Sequence, residues 1–368
     1  MKFSIVKSDL LKPLSHIYSV VEKRNTIPIL SNVVIEASEN DIAFTATDME
    51  IDILEGIKAN VISTGKLTVS AHTLYDIVRK LPDGSEVVMH IKENKLILSC
   101  GKSEFTLPTL PFDDYPIMTE ITGGKNFSIS SADLQNLIDN TKFAISVEET
   151  RYYLNGIYLH QNVDKNNLRA VATDGHRLAQ VEISLPDGAD GMSSIIIPRK
   201  TVGEVRKLID DTEGDINITV STNKIKFNIN NCTLTSKLID GSFPDYQRVI
   251  PKDNTNNMIV STKEFKDAVD RVSTISIEKS RAVKLALSKN NLILKVNSHD
   301  TGNASEELEV NFDGNPMEIG FNSKYLLDIA LQIQGKEMQF SLSDSSSPAL
   351  ITDPEQEGII FVLMPMRV

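Results

Sequence analysis

The most reactive stretch of the chain is Thr173-Asp174-Gly175-His176-Arg177, where a carboxylate, an imidazole and a guanidinium stand together. Those groups suit general acid–base work, with the arginine steadying developing negative charge. A nucleophile is missing, because no serine or cysteine is tied to His176 by a Gly-x-Ser-x-Gly elbow. The equivalent positions elsewhere read Thr47-Asp48-Met49-Glu50 and His299-Asp300-Thr301-Gly302, which keep the aspartate but not the histidine and arginine after it. Catalysis is not expected at this segment. Gly101-Lys102-Ser103 imitates the end of a phosphate-binding loop, but Leu96 stands where that loop needs glycine, and the segment falls between strands. The six histidines, His16, His72, His90, His160, His176 and His299, include no pair at metal-ligand spacing. Cys100 and Cys232 are isolated and read as buried thiols of a reducing compartment. No metal and no cofactor is expected.

The recurring aspartate is more informative than the histidine beside it. Asp48, Asp174 and Asp300 lie at a constant interval of 126 residues, each closing the second strand of an alternating hairpin. Three such intervals nearly exhaust the 368 residues, so the chain reads as a single domain of roughly 120 residues, tandemly triplicated. Phe112-Asp113-Asp114-Tyr115-Pro116 and Ser242-Phe243-Pro244-Asp245-Tyr246 end the first two copies alike, and polar linkers follow. The divisions are 1–124, 125–253 and 254–368.

Within each copy the same elements return in the same order. Polar caps at Ser8, Ser131 and Thr262 are expected to open a first amphipathic helix. Hairpins follow over 32–47, 155–173 and 284–298, with apolar residues on alternate positions. Second helices carry Leu74, Ile77, Val78 and Leu81, then Val202, Val205, Leu208 and Ile209, then Tyr325, Leu326, Ile329 and Ile333. Further alternating strands come after them, and the polar run from Ser343 to Pro348 reads as a flexible loop. Strands arriving in hairpins between single helices make an α+β plan, helices covering one face of a mainly antiparallel sheet. A doubly wound parallel fold is excluded.

Composition is that of an ordinary folded protein, with 40% hydrophobic and 24% charged residues. No secretory leader stands near Met1, and no apolar run approaches the ~20 residues a membrane span needs. A cytoplasmic protein without membrane partners is expected. Net charge is −12, from 38 basic and 50 acidic side chains, which at first sight argues against nucleic acid. Basic residues nevertheless recur on the polar faces of the helices, among them Lys12, Lys23, Arg24, Arg79, Lys142, Arg199, Lys200, Arg206, Lys263 and Arg271. The acidic surplus then lies mainly on strands and loops, as with Asp83, Glu86, Asp215, Glu306, Glu307 and Glu309. The chain is thus two-faced electrically; solvated helix faces with no partner are the alternative on charge alone.

One further feature suits binding. Leu154, Gly175, His176, Leu178, Pro244, Val249 and the tail Val362-Leu363-Met364-Pro365-Met366-Arg367 combine apolar surface with a few polar groups. Methionine adapts its shape and proline is already rigid, so the set suits a groove for an extended peptide. The same tail also reads as a terminal strand closing the third core; both can hold, because alternation buries one face only.

Long strings now carry a resemblance: Arg151-Tyr152-Tyr153-Leu154-Asn155-Gly156, Val171-Ala172-Thr173-Asp174-Gly175-His176-Arg177-Leu178, Thr235-Ser236-Lys237-Leu238-Ile239-Asp240-Gly241, Phe243-Pro244-Asp245-Tyr246 and Met364-Pro365-Met366-Arg367. The chain resembles the bacterial DNA polymerase III beta subunits, the replicative sliding clamps, from Met1 to its last residue. That resemblance implies a non-catalytic subunit and a head-to-tail homodimer, closed as a ring of six similar domains with helices inside and duplex DNA through the hole. Twelve helices spaced ~9 Å apart give a circumference of ~108 Å and, less a helix half-width of ~5 Å, an opening of at least ~24 Å. A ring holds DNA by topology without sequence specificity, so few phosphate contacts are needed and a negative chain can do it.

By the same resemblance Arg24, Arg151, Tyr152 and Tyr153 would touch DNA, the tyrosines stacking on single-stranded ends. Glu148-Glu149 departs from relatives that carry glutamine and aspartate there, and should weaken local phosphate attraction. The implied peptide groove comprises Leu154, Thr173, Gly175, His176, Arg177, Leu178, Pro244, Arg248, Val249, Val362, Met364, Pro365, Met366 and Arg367. Its implied partners present short Gln- and Leu/Phe-containing segments: the replicative polymerase subunit, the clamp loader, lesion-bypass polymerases, mismatch repair proteins and ligase. Subunit closure is implied near Leu107, Thr274 and Ile275. On the residues alone, an enzyme using Asp174 and His176 and a monomeric peptide-binding scaffold are the rival readings.

Overall fold

Alternating side chains bury one face of each hairpin. In Ala282–Ser288 and Asn291–Ser298, Val283, Leu285, Leu287, Leu292, Leu294 and Val296 are all buried. The computed structural model describes residues 1–23, 26–210, 212–276, 281–298 and 301–367. All three expected hairpins form and are antiparallel: Asn32–Ser38 with Asp41–Thr47, Gly156–Asn162 with Asn167–Thr173, and Ala282–Ser288 with Asn291–Ser298. Asn166 and Asn290 take the left-handed conformation in two of the turns, which asparagine tolerates better than most residues. Each hairpin gains a third strand that its sequence does not announce: Ile51–Lys58, Arg177–Ser184 and Gly302–Glu309.

Six α-helices occur among the described residues, two per copy: α1 Lys7–Val20, α2 Ala71–Lys80, α3 Ser131–Asp139, α4 Arg199–Ile209, α5 Thr262–Ser273 and α6 Ser323–Ala330. Their apolar stripes are buried, as with Leu10, Leu14 and Ile17 of α1 and Phe265, Val269 and Val272 of α5. The caps differ from expectation at all three first helices, Ser131 being the first residue of α3 behind the strand residue Ser130. Ser8 lies inside α1, whose cap position is Val6, and Thr262 opens α5 behind the capping residue Ser261, which accepts from the Glu264 N–H. The reason is that a strand runs straight into each helix, so the cap is the last strand residue. The polar run 343–348 has no regular structure, but it is tied: Asp344 Oδ1 accepts from the N–H groups of Ser346 and Ser347 at 2.7 and 2.8 Å. Those bonds hold the exposed Asp344 carboxyl down to about 2.

The chain divides into two compact units, 1–132 with 186–193 and 200–238, and 133–185 with 194–199 and 239–368. In the first, a 13-stranded ladder passes from Cys232–Lys237 of the middle copy to Ile51–Lys58 of the first, pairing Leu234 with Ile53 and Ser236 with Ile51. In the second, a 9-stranded ladder passes from Arg177–Ser184 of the middle copy to Ile359–Leu363 of the third, pairing Arg177 with Leu363 and Ala179 with Phe361. A separate 4-stranded sheet holds Gly302–Glu309 at one edge. The middle copy thus lends strands to both units. Among the described residues no helix is long and apolar enough to cross a membrane.

Cys100 and Cys232 are free and buried, and burial pushes the Cys232 thiol far above its ordinary pKa. Tyr115 ties down the end of the first copy. Its hydroxyl donates to the Asn32 carbonyl at 3.0 Å and accepts from the Thr47 N–H at 3.1 Å, pinning the copy's last segment to its hairpin. Burial raises its pKa. Tyr115→Phe should cost about 1–3 kcal/mol in urea unfolding with an unchanged m-value, because two buried backbone groups lose a partner. Asp113→Ala, at an exposed position of the same segment, should stay within about 0.5 kcal/mol of the parent.

Candidate functional site

The recurring aspartate is a turn former. Asp174 Oδ1 accepts from the N–H groups of His176 and Arg177 at 2.9 and 3.0 Å, while the Thr173 hydroxyl donates to the Arg177 carbonyl at 2.7 Å. Asp48 closes its own turn in the same way, accepting from Glu50 and Ile51 at 2.9 and 2.7 Å. Gly175 sits at φ +88, and a Cβ there would come within 2.7 Å of Arg151 Nη1, so glycine serves both backbone and close approach. Asp300 and His299 lie outside the described residues.

Arg177 is buried with each guanidinium nitrogen engaged. Nε donates to Asp174 Oδ2 at 3.1 Å, Nη1 to Asp328 Oδ2 of α6 at 2.6 Å, and Nη2 to the Phe143 carbonyl. Its plane also lies over the rings of Tyr325, 4.3 Å away, and Phe143, 5.1 Å away. The structure therefore makes Arg177 a clasp between the turn, α6 and the Phe143 carbonyl, with three of its five N–H donors in use. Asp328, Tyr325 and Phe143 were not singled out as site residues by the sequence, since nothing in a helical stripe marks one member as an arginine's partner.

Beside the clasp, Val171, Leu178, Tyr246 and Val362 form a buried floor, against which Tyr158, Phe243, Ile250 and Leu350 pack. Leu154 is buried. Val249 and Met364 are 48% and 40% exposed, and Pro244, Arg248 and His176 are exposed as well, so an apolar rim with polar points stands open to solvent. His176 stacks on Tyr325 with 6.4 Å between centroids, and its carbonyl accepts from the Met364 N–H at 2.9 Å. The tail continues with Met366 N–H donating to the Gly320 carbonyl at 2.7 Å. There Pro365, Met366 and Arg367 flank a cavity of about 670 Å³ shared with Ser345 and Ser346. Arg248 pairs with Asp245 on the surface at 2.7 Å. The structure thus gathers Val171, Leu178, Phe243, Tyr246, Ile250 and Val362 into one apolar cluster with Met364 tied to His176, while Pro365, Met366 and Arg367 line a cavity with Lys284 and Glu318.

Arg151, Tyr152 and Tyr153 lie on the 3₁₀ turn Glu149–Leu154 that leads into this wall. Tyr152 is 54% exposed and meets Tyr153 edge to face at 5.8 Å. Arg151 Nε is 3.4 Å from Glu148 Oε2, so the unusual acid does compete for that cation. Arg24 lies outside the described residues. On the helices several cations are paired with acids, Arg79 with Asp76, Arg206 with Asp210, Lys207 with Glu204 and Arg271 with Glu306. Lys80, Arg199 and Lys263 are exposed. Among the described residues no group of His, Cys, Asp and Glu side chains is placed to hold a metal ion.

Models of the N-terminal, central and C-terminal domains of the DNA polymerase III beta subunit match residues 1–119, 128–245 and 247–367. The chain belongs to the DNA polymerase III beta subunit family. It is 47% identical over 372 residues to the beta sliding clamp of Caulobacter vibrioides and 38% identical over 368 residues to that of Pseudomonas aeruginosa, with each chain fully covered. Among solved structures it matches a sliding clamp from Bartonella birtlesii bound to griselimycin, at TM-score 0.98 and 49% identity, and a Caulobacter crescentus beta sliding clamp at 0.96 and 47%, again over both full chains. The chain is accordingly a DNA sliding clamp of three clamp domains, a processivity subunit and not an enzyme.

Below the groove floor, His160 Nε2 lies 2.9 Å from the Tyr246 hydroxyl and Nδ1 lies 3.0 Å from the Gln161 carbonyl. Arg169 Nη1 donates to the same hydroxyl at 3.3 Å, so Tyr246 donates to a neutral, Nδ1-protonated imidazole. Burial pushes the His160 pKa below its ordinary 6.5, and Arg169 acts in the same direction against Gln161 and Glu182. The unfolded chain therefore takes up a proton near pH 6.5 that the folded chain refuses. Stability from this group should be complete above about pH 6.5 and be lost as pH falls through the folded value. Urea midpoints taken from pH 7.5 to 5.5 should show that slope, and His160→Gln should flatten it.

Proposed function

We propose that two copies of the chain join head to tail into a ring that encircles duplex DNA without sequence specificity, in the cytoplasm. The ring tethers partner proteins through the groove of the second unit. The domain divisions are 1–124, 125–253 and 254–368. The observation that carries closure is the spare pair of strand edges. Each internal joint pairs the last strand of one copy with the third hairpin strand of the copy before it, in equivalent register relative to Asp48 and Asp174. Two strands of these types have no such partner among the described residues. Ser103–Leu110 pairs only with Lys95–Cys100 along residues 103–107, and Gly302–Glu309 pairs only with Asn291–Ser298. Edge pairing of this kind would set Phe105 and Leu107 of one copy against Gly302–Glu309 of a second. Thr274 and Ile275 adjoin this edge, the Ile275 carbonyl accepting from the Thr301 hydroxyl at 2.5 Å.

Arg24, Arg151, Tyr152 and Tyr153 are the proposed DNA contacts. The proposed groove partners are the replicative polymerase subunit, the clamp loader, lesion-bypass polymerases, mismatch repair proteins and ligase, each through a short Gln- and Leu/Phe-containing segment. Support for the groove is the open apolar rim of Val249 and Met364 over a floor that is already packed.

Light scattering during size exclusion should give about twice the 40.8 kDa chain mass, and Leu107→Asp should return it to the single-chain value. The loaded dimer should stay on nicked circular DNA and leave linear DNA; equal release from both would count against encirclement. Met364→Ala combined with Val249→Ala should weaken a short peptide carrying Gln, Leu and Phe by about tenfold or more, the scale of losing ~1–2 kcal/mol of apolar contact, with dimer mass unchanged.

A further inference from the structure

Each proton in the polar chain under the groove floor has one acceptor. Arg169 Nη1 donates to the Tyr246 hydroxyl at 3.3 Å, the hydroxyl donates to His160 Nε2 at 2.9 Å, and His160 Nδ1 donates to the Gln161 carbonyl at 3.0 Å. The chain runs one way, and it works only while Nε2 keeps its lone pair. A proton on Nε2 would turn that acceptor into a second cationic donor aimed at the Tyr246 oxygen. The hydroxyl proton would then be buried with no acceptor, which is costly.

The groups around His160 do little to accommodate a second cation. Arg169 stands directly across from it in the register of the neighbouring strand, Asn167–Thr173. Glu182, on the strand beyond, is already engaged by Arg169 Nε at 2.5 Å and Asn167 Nδ2 at 3.0 Å, with Lys165 Nζ 3.6 Å away. On the other side, Ile195–Pro198 brings no charged residue. Tyr158, of the same strand as His160, stacks on the imidazole with 4.7 Å between centroids, and Phe243 stacks on Tyr158 at 4.7 Å.

Tyr246 connects this chain to the groove. Its ring belongs to the floor with Val171, Leu178 and Val362, and it opens the 3₁₀ turn Tyr246–Val249, which carries Arg248 and the exposed Val249 of the rim. The bonds of Arg248 to Asp245 lie inside that segment. The Tyr246 hydroxyl, by contrast, ties the segment to two strands of the sheet.

We propose that His160 makes the groove acid-sensitive: a proton taken up at Nε2 displaces the Tyr246 hydroxyl, releases residues 243–249 from the sheet and removes the rim on which a partner peptide docks. The inference rests on the reading of this groove as the peptide site. Burial holds the His160 pKa below its ordinary 6.5, so the groove is intact at neutral pH and the change falls on the acid side. By linkage, a docked peptide opposes protonation and shifts the titration of His160 to still lower pH.

The test uses the full-length dimer and a rhodamine-labelled peptide carrying Gln, Leu and Phe, blocked at both ends and free of titratable side chains. Anisotropy is read from pH 8.0 to 5.5, with light scattering confirming dimer mass at each pH. Affinity should be constant down to about pH 6.5 and fall about twofold or more by pH 5.5. His160→Gln, whose Oε1 still accepts from Tyr246 and which takes up no proton, should bind with one affinity across the range. His176→Gln, which removes the exposed imidazole at the rim, should keep the acid loss. Hydrogen exchange in residues 243–249, corrected for the intrinsic rate, should rise at pH 5.5 in the parent and not in His160→Gln. The His160 ring C–H resonance should titrate at lower pH with peptide than without it. An affinity in the parent that ignores pH, an acid loss that survives His160→Gln or vanishes in His176→Gln, unchanged exchange, or a His160 titration indifferent to peptide overturns the inference. If the peptide binds at no pH, the groove reading falls, and the exchange measurement alone decides whether His160 releases the segment.

Discussion

An exposed strand edge is an unfilled row of hydrogen bonds, and this chain is organised around where those rows are filled. At Ile51–Lys58 with Cys232–Lys237, and at Arg177–Ser184 with Ile359–Leu363, the edge of one copy is completed by the next. The ladder runs on through the copy boundary, which is why compactness groups half of the middle copy with its predecessor and half with its successor. Each joint also places two segments of distant sequence side by side, and the proposed groove lies at such a junction. It would be a by-product of joining copies edge to edge.

Divergence after triplication then acts on a common frame. The aspartate that closes the turn persists at 48 and 174 because its carboxylate satisfies two backbone N–H groups, a need that does not change between copies. The residues flanking it are free to differ. At the third joint position the middle copy places Leu178 against Val362, building an apolar floor, and the first copy places Asp52 against Thr235. Arg177 and its acceptors Asp174 and Asp328 show the same economy: a cation that looks catalytic in the string is consumed in holding a helix to a strand.

Much of this was legible in one dimension. The 126-residue recurrence, the period-two strands such as 282–288 and 291–298, and the helical stripes of α4 and α5 depend on local periodicity, and the structure follows them closely. The third hairpin strand of the middle copy escaped notice because Arg177–Ser184 is buried along most of its length on both faces and so shows no alternation. The caps slipped because a strand feeding directly into a helix moves the capping role onto a strand residue. Asp328 and Phe143 were missed at the groove because their partner Arg177 lies 151 and 34 positions away.

The order of amino acids alone determined the class of fold, its threefold repetition, the absence of a nucleophile beside His176 and the family strings that ended in membership. Those are statements about spacing and residue type, which a chain carries whether folded or not. Only the tertiary structure decided that Arg177 clasps Asp174, Asp328 and the Phe143 carbonyl, and that Tyr246 donates to a neutral His160. Whether a polar atom is satisfied depends on what the fold brings within about 3 Å of it, and that distance is set by strand register across the joints.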